Sequence, residues 1–500
     1  MNACENERRE FRVDFVRVMN CLDINRTEYS FYEENMKIKP IEFFLRLCTV
    51  SLLVLGCADP TVERVTDSDP SGADSVESDS TSADSEDAGA GTDADRFSVD
   101  YQSASDISPS APATVGIVTW SIEGAGKLLE AHIDFGLDGN YGMTAPVDLA
   151  QEGFRTILLG MKPSRTYHFQ IAATDDQGEY KSADYTIETG PATDLVTLRG
   201  FTVMSEEQRE RGFIIASTWR GDSSSVVYII DADGEIVWWY ETDLDGIASA
   251  RMSEDGQNMW MVPPCTTAEG IRRVSMDGLD YQAYDNTVAA HDLTPVSGET
   301  MAYIDYSEAD CNSIFEITPD GNNREVFEPE PYTSGSCHGN ALRYSKTEDV
   351  YTLSDLNTDI YVVSRDGQFL WQLSDLVGSN AVWGYRQHGH QLLDNSFLFF
   401  ANDVDVNVSA VMEYDLDGNQ ILDFSDGYYT RHLGDCQRLP GGNTWITYSD
   451  AESFVQEITP QGDVVLEIDA RAQPNAAAAN ALGYTLWRDS LYGPPSDILL

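Results

Sequence analysis

The sequence predicts an all-β protein, a six-bladed β-propeller preceded by a smaller β-sandwich. The propeller rests on six turn signals in the C-terminal three hundred residues: Asp231-Ala232-Asp233-Gly234, Ser275-Met276-Asp277-Gly278, Thr318-Pro319-Asp320-Gly321, Ser364-Arg365-Asp366-Gly367, Asp415-Leu416-Asp417-Gly418 and Thr459-Pro460-Gln461-Gly462. Their glycines lie 44, 43, 46, 51 and 44 residues apart. Each turn sits between two β-rich runs, such as 226–230 and 235–240. A tight turn between apolar runs needs positive φ, which glycine adopts without strain. A period in the mid-forties with about four strands per unit is the mark of a propeller. A sandwich with coincidental turns does not account for six turns at five matching intervals.

The net charge is −53, from 31 Lys and Arg against 84 Asp and Glu. Phosphate recognition needs clustered basic residues, so nucleic acid is excluded as a partner. A hydrophobic content of 42% excludes a fully disordered chain.

Taken in order, residues 1–35 are polar, mixed in charge and unlike a targeting segment, and they read as an untranslated or disordered extension. At Met36 the character changes. Two lysines precede an apolar stretch that ends in Val54-Leu55-Gly56-Cys57. That is the layout of a secretory signal peptide, and a small residue before cysteine resembles the lipobox of bacterial lipoproteins. The expectation is a start at Met36, a signal peptide over 36–57 and a lipid on Cys57. The protein would then be anchored to the bacterial cell envelope, in the outer membrane, with its folded body in the periplasm or outside the cell. Residues 58–96 are Ser, Asp, Ala and Gly with almost no large apolar side chains, and read as an acidic disordered tether.

Residues 97–192 read as a separate β domain. Alternating runs fall at 115–122, 132–135, 154–159, 167–173 and 185–188. The stretch 159–169, LGMKPSRTYHF, is similar to the corner and following strand of a fibronectin type III domain, where a tyrosine hydroxyl ties the corner down. Trp120 is a candidate core residue. His132 and His168 read as structural.

The propeller is expected over 195–495, with blades near 199–242, 246–286, 288–329, 335–376, 385–426 and 431–470. The tail 484–495, YTLWRDSLYGPP, is too apolar for a free end and is expected to pack beside the first blade. Five of the seven histidines lie in this region: His291, His338, His388, His390 and His432. Each falls at or just before the inner strand of a blade. His291 precedes its turn at Gly298 by the interval that separates His388 from Asn395, and His338 opens the blade between them. Inner strands converge on a central channel, so these three are expected at one channel mouth.

The blocks AHDLTP around His291, CHGNALRY around His338, RQHGHQLL and FFAND around His388, and LPGGNTWITY at 439–448 resemble the bacterial arylsulfotransferases that need no nucleotide sulfate donor. The resemblance covers roughly 195–495, and that family also carries an N-terminal sandwich before a six-bladed propeller. It implies a sulfuryl transfer from a phenolic sulfate donor to a phenol acceptor. It also implies His388, after Gln387, as the nucleophile, with His338 and His291 as further catalytic residues and Asn340 as a substrate-binding residue. Where the family has an arginine for the sulfuryl oxygens, this sequence has Leu356. Arg386 and Arg438 are candidate substitutes. His390, two residues after His388, is expected on the same face of the strand, about 7 Å further along, as a supporting substrate-binding residue.

The chemistry is coherent on its own terms. A neutral imidazole can attack an anionic sulfuryl ester and hold it covalently, which splits one transfer into two easier steps. A second histidine can protonate the departing phenolate and deprotonate the incoming phenol. No cofactor is needed. A metal site is not expected, because only His388 and His390 approach ligand spacing and Gly389 intervenes. Of the cysteines after Cys57, Cys265 and Cys311 occupy like positions in adjacent blades and form the first candidate disulfide, although connectivity does not follow from sequence. The competing reading is a non-catalytic surface propeller that binds glycan or protein, which the loss of the arginine favours. A quinone-cofactor dehydrogenase would need a tryptophan-marked repeat that the chain lacks.

Overall fold

The computed structural model describes residues 93–220, 225–264, 270–307, 312–332, 337–356, 359–378, 386–402, 407–449, 453–471 and 481–496. The expected signal peptide over 36–57, Cys57, most of the expected tether over 58–96, Cys265 and Cys311 lie outside these residues. The described structure is all-β and propeller-like, built of small antiparallel sheets. Among the described residues no helix is long and apolar enough to cross a membrane.

The first described element is a 3-10 turn, Asp93–Arg96, where Arg96 donates to the Glu123 carbonyl at 2.9 Å and lies over the Tyr180 ring. Two antiparallel sheets follow. One pairs Phe97–Ser103, Gly116–Ile122 and Thr156–Leu158; the other pairs Glu130–Gly136 with Gly142–Pro146 and Thr166–Thr174, which also carries Glu179–Lys181 and Tyr185–Glu188. Alternate residues of both sheets point into one core, including Val118, Trp120, Ile133, Phe135, Phe169 and Ile171. At the corner before the Thr166–Thr174 strand, the Lys162 amide donates to the Tyr167 hydroxyl at 2.8 Å. His132 and His168 lie beside Asp134 and Asp184 near the surface of this domain.

Six sheets then follow in succession. Five open with a lead strand: Ser249–Met252, Ala289–Ser297, Gly339–Ser345, His390–Leu393 and Asp435–Arg438, which begin the second to sixth units. The first unit takes its lead strands from the tail. Ala481–Leu482 and Leu486–Arg488 pair with Phe213–Arg220, so the apolar tail is packed where its composition placed it. Gly200–Val203, expected in the first blade, instead pairs with Val464–Asp469 at the edge of the sixth unit. The first and sixth units thus each hold a strand from the far end of this region. All six turn glycines fall between the third and fourth strands of their units, each at positive φ between 73° and 86°.

The units share apolar cores in order. The Ser396–Ala401 strand shows how the sequence achieves this. Phe397, Phe399 and Ala401 pack toward the fourth unit, while Leu398 and Phe400 pack toward the sixth. A strand with both faces covered reads as an unbroken apolar run, as Phe397-Leu398-Phe399-Phe400 does. Each such side chain contributes about 1.5–3 kcal/mol on burial. Further shared cores join the second unit to the third and the third to the fourth. Another core holds Trp445 and Ile468 of the sixth unit with Ile214 and Trp487 of the first, which closes the succession. The N-terminal domain joins the first two units through a common core with Ile117, Leu159, Trp238 and Met261. Lys162 reinforces this junction with Asp233 at 2.7 Å and Glu235 at 3.2 Å.

Candidate functional site

The histidines sit where the lead strands begin. His291 lies inside its strand, whereas His338 and His388 stand just before theirs and His432 stands three residues ahead. The His291 and His338 rings meet edge to face with centroids 5.0 Å apart, and His291 stacks on Tyr306 at 5.3 Å. Burial, then the charges of His338, His388 and His432, holds His291 well below the usual histidine range. His291 is therefore neutral at pH 7, and His338, His388 and His432 are each close enough to act on it. His432 was noted in sequence only as one of five; the structure adds it to the group, against the Trp219 ring at 5.6 Å.

His388 is almost fully buried, and its orientation is fixed by a residue that no motif singled out. Asn402 donates its amide to the carbonyls of Thr430 at 2.9 Å and Leu433 at 2.8 Å. That fixes the amide and leaves Oδ1 as an acceptor, 2.7 Å from His388 Nδ1. The Arg386 carbonyl lies on the same nitrogen at 3.1 Å. Two acceptors on Nδ1 require it to carry the proton, so in the neutral ring the acceptor lone pair belongs to Nε2.

Asn340 is fully buried and donates to the Gln387 carbonyl at 3.1 Å. Gln387 itself donates to the Asp355 carbonyl, which makes it a strut between the fourth and fifth units. Asn340 Oδ1 and His291 Nδ1 are buried without a hydrogen-bond partner among the described residues. The backbone here is also strained. His291, Arg386 and Leu433 all have positive φ, at 68°, 46° and 57°. Each costs about 1–2 kcal/mol in a residue with a Cβ. Unsatisfied polar atoms and left-handed non-glycine residues concentrate where function requires them.

The remaining sequence candidates are placed as follows. Leu356 follows the Val350–Asp355 strand, and its amide donates to the His338 carbonyl at 2.9 Å. Arg386 adjoins His388. Arg438 is committed elsewhere, in an ion pair with Glu413 and a 2.8 Å bond to the Gly442 carbonyl. His390 does not join the other histidines. Its Nδ1 lies 3.1 Å from the His388 carbonyl and its Nε2 lies 2.8 Å from the Thr352 hydroxyl, so the first holds its own segment and the second ties the fifth unit to the fourth. The same-face expectation fails because the regular strand begins only at His390. Gly389 before it has no room for a side chain, since a Cβ would come within 1.9 Å of Asp435 Oδ1. Burial, then the charge of Arg343, pulls His390 down to about 4.

Behind the histidines lies a layer of charge that the sequence did not reveal. Arg251, Asp292, Arg343 and Asp435 come from the second, third, fourth and sixth units. Arg343 Nη2 spans both Asp435 oxygens at 2.7 and 2.6 Å, and Arg343 Nη1 pairs with Asp292. Arg251 Nη2 lies 3.3 Å from Asp292 and 3.5 Å from Asp435. Burial pushes Asp292 up, but Arg343 and Arg251 outweigh it and hold the carboxyl below its ordinary value. Cys337 is disulfide-bonded to a residue outside those described, and Cys436 is a buried free thiol. Among the described residues no group of His, Cys, Asp or Glu is arranged to hold a metal ion.

The fold and this site define a propeller-like all-β protein with a buried histidine cluster where its lead strands begin. No family model matches the chain, and no curated protein matches it. Among solved structures, a structural genomics protein of unknown function from Bacteroides thetaiotaomicron is similar at 12% identity and a TM-score of 0.35, over 71% of this chain and 94% of its own. An auxiliary nutrient binding protein from the same organism is similar at 8% identity and a TM-score of 0.33, over 71% and 93%.

Proposed function

We propose that this chain is a six-bladed β-propeller behind a fibronectin type III-like sandwich. In this reading it transfers a sulfuryl group from a phenolic sulfate ester to a phenol through a sulfohistidine on His388. The succession of six sheets with cyclically shared cores supports the blades, and the Lys162–Tyr167 corner bond supports the sandwich. The resemblance to nucleotide-independent arylsulfotransferases supplies the reaction. The observation that carries it is the Asn402 contact, which orients His388 and assigns the lone pair to Nε2. The lipid on Cys57 and the envelope location belong to the same proposal and rest on the sequence of 36–57.

In the first step His388 Nε2 attacks sulfur, an N–S bond forms, and the S–O bond to the aryl group breaks. The phenolate leaves and takes a proton from His338. His291, neutral and beside His338, offers a hydrogen bond rather than a charge. In the second step an incoming phenol gives its proton back to His338, its oxygen attacks sulfur, and the N–S bond breaks. Asn402 does not react; its oxygen stabilises the Nδ1–H as positive charge develops on the ring.

A second reading, a binding propeller without catalysis, is favoured by one observation. Leu356 stands beside His338 where the family carries its oxyanion-binding arginine. One experiment separates the two. The protein is incubated with a chromogenic aryl sulfate, with and without a phenol acceptor, and the donor-only sample is mapped for a labile sulfuryl adduct. The adduct is expected on the His388 imidazole. An adduct on another residue would falsify the nucleophile assignment. No turnover with any aryl sulfate replaces the enzyme reading with the binding one.

A further inference from the structure

The lead strands of all six units contribute to a second feature, separate from the histidine cluster. It is a cavity of about 50 Å³. Its lining includes Arg488 of the first unit, Arg251 of the second, Thr294 of the third, Arg343 of the fourth, His390 of the fifth and Asp435 of the sixth. Three arginines against one carboxylate is an unusual lining in a chain whose net charge is −53.

The hydrogen-bond inventory separates the groups already committed from those still able to bind. His390 uses both nitrogens on the backbone and on Thr352. Arg343 spends Nη1 and Nη2 on Asp292 and Asp435. Arg488 is almost fully buried, yet its hydrogen bonds go to neutral acceptors: Nε donates to the Ser490 carbonyl at 3.0 Å and Nη2 to the Gly493 carbonyl at 2.8 Å. Burial pulls Arg488 down to about 10, so its charge is not fully compensated. Arg251 is 2% exposed, and only Nη2 reaches a carboxylate. Arg251 Nη1 is buried without a partner among the described residues. A buried guanidinium nitrogen with no acceptor is costly, and a charged oxygen is the acceptor that offsets the cost most strongly.

We propose that this cavity binds one small tetrahedral oxyanion, of the sulfate or phosphate class, with Arg251 Nη1 as its principal donor. A single water needs roughly 10–15 Å³ by the same measure, so the cavity has room for a small polar guest. The Thr294 hydroxyl and the Arg488 guanidinium complete its lining. The site needs none of the histidine chemistry and stands whether or not His388 forms an adduct.

The test is equilibrium dialysis of the full chain with radiolabelled sulfate at constant ionic strength. One saturable site per chain is expected, displaced by phosphate and not by acetate. Arg251→Gln is expected to weaken sulfate binding by about tenfold or more, the size of one charge-assisted hydrogen bond. Thr294→Leu, which fills the cavity and leaves the arginine–aspartate layer intact, is expected to abolish binding. It decides the matter if Arg251→Gln does not fold. Absence of saturable binding in the wild-type chain overturns the proposal. So does unchanged affinity in the folded variants, and equal competition by acetate overturns the tetrahedral assignment.

Discussion

Where the lead strands begin, His291, Arg386 and Leu433 occupy left-handed backbone, and His291 Nδ1 and Asn340 Oδ1 lack partners among the described residues. A short distance along the same strands, Arg343 and its two aspartates form a closely paired layer, with Arg343 and Asp435 on regular backbone and Asp292 in the strand irregularity beside His291. Both regions are buried and polar, and both draw on several units. They differ in what their polar groups are doing. In the charged layer Arg343 and the two aspartates satisfy one another and tie units together, and Arg251 Nη1 is left without a partner among the described residues. In the histidine cluster Asn340 Oδ1 and His291 Nδ1 are left in the same way, the latter on left-handed backbone. Buried polarity therefore does not mark a site by itself; buried polar atoms left without a partner do.

This contrast is open to direct attack. His388→Ala is expected to reduce sulfuryl transfer by about a thousandfold or more, because the covalent step is lost, while the unfolding midpoint in urea stays close to wild type. A large loss of stability in this variant would place His388 with the structural layer. Arg343→Met is expected to do the reverse. It leaves Asp292 and Asp435 with Arg251 alone and should cost about 3–5 kcal/mol in urea unfolding, since breaking a buried pair strands its partners.

His390 sharpens the same division through pH. In the folded chain it stays neutral down to about pH 4, while in the unfolded chain it takes up a proton near 6.5. The unfolded state therefore binds more protons between those values. This contribution to stability is complete above pH 6.5 and is lost as pH falls toward 4, by about 3 kcal/mol. His390→Gln should flatten that part of the stability–pH curve and leave the pH profile of transfer unchanged. A shift in the activity profile would return His390 to the reacting group. Asn402→Ala has the smallest expected effect, a fall in kcat of about a hundredfold with KM nearly constant, because the tautomer of His388 is no longer held. Equal losses in kcat and in binding would make Asn402 a purely structural residue.

Much of the fold could be read from the sequence because its constraints are local. Gly234 and its five counterparts mark turns that need positive φ, and the tail 484–495 announces its burial by its aromatics. The seam was not legible. Gly200–Val203 has the composition of a strand, but nothing in it says that its partner is Val464–Asp469 rather than its neighbour in sequence. The histidines could be found because they recur in register with the turns. Asn402, Arg251, Asp292 and Asp435 are single polar residues at the ends of or within apolar strands, and no spacing connects them before the chain folds. His390 was misplaced for a related reason: a period of two holds only along a regular strand, and Gly389 interrupts it.

The seam has a consequence for how the protein is made. Phe213–Arg220 is translated long before Leu486–Arg488, the strand it pairs with, so the first unit to leave the ribosome is the last to be finished. Until then the apolar faces of Ile214 and Ala216 have no inner neighbour. This half-built edge must be kept from pairing with other chains through the whole period of synthesis. Release of residues 481–488 is thus a checkpoint, at which an open and association-prone strand edge gains its partner.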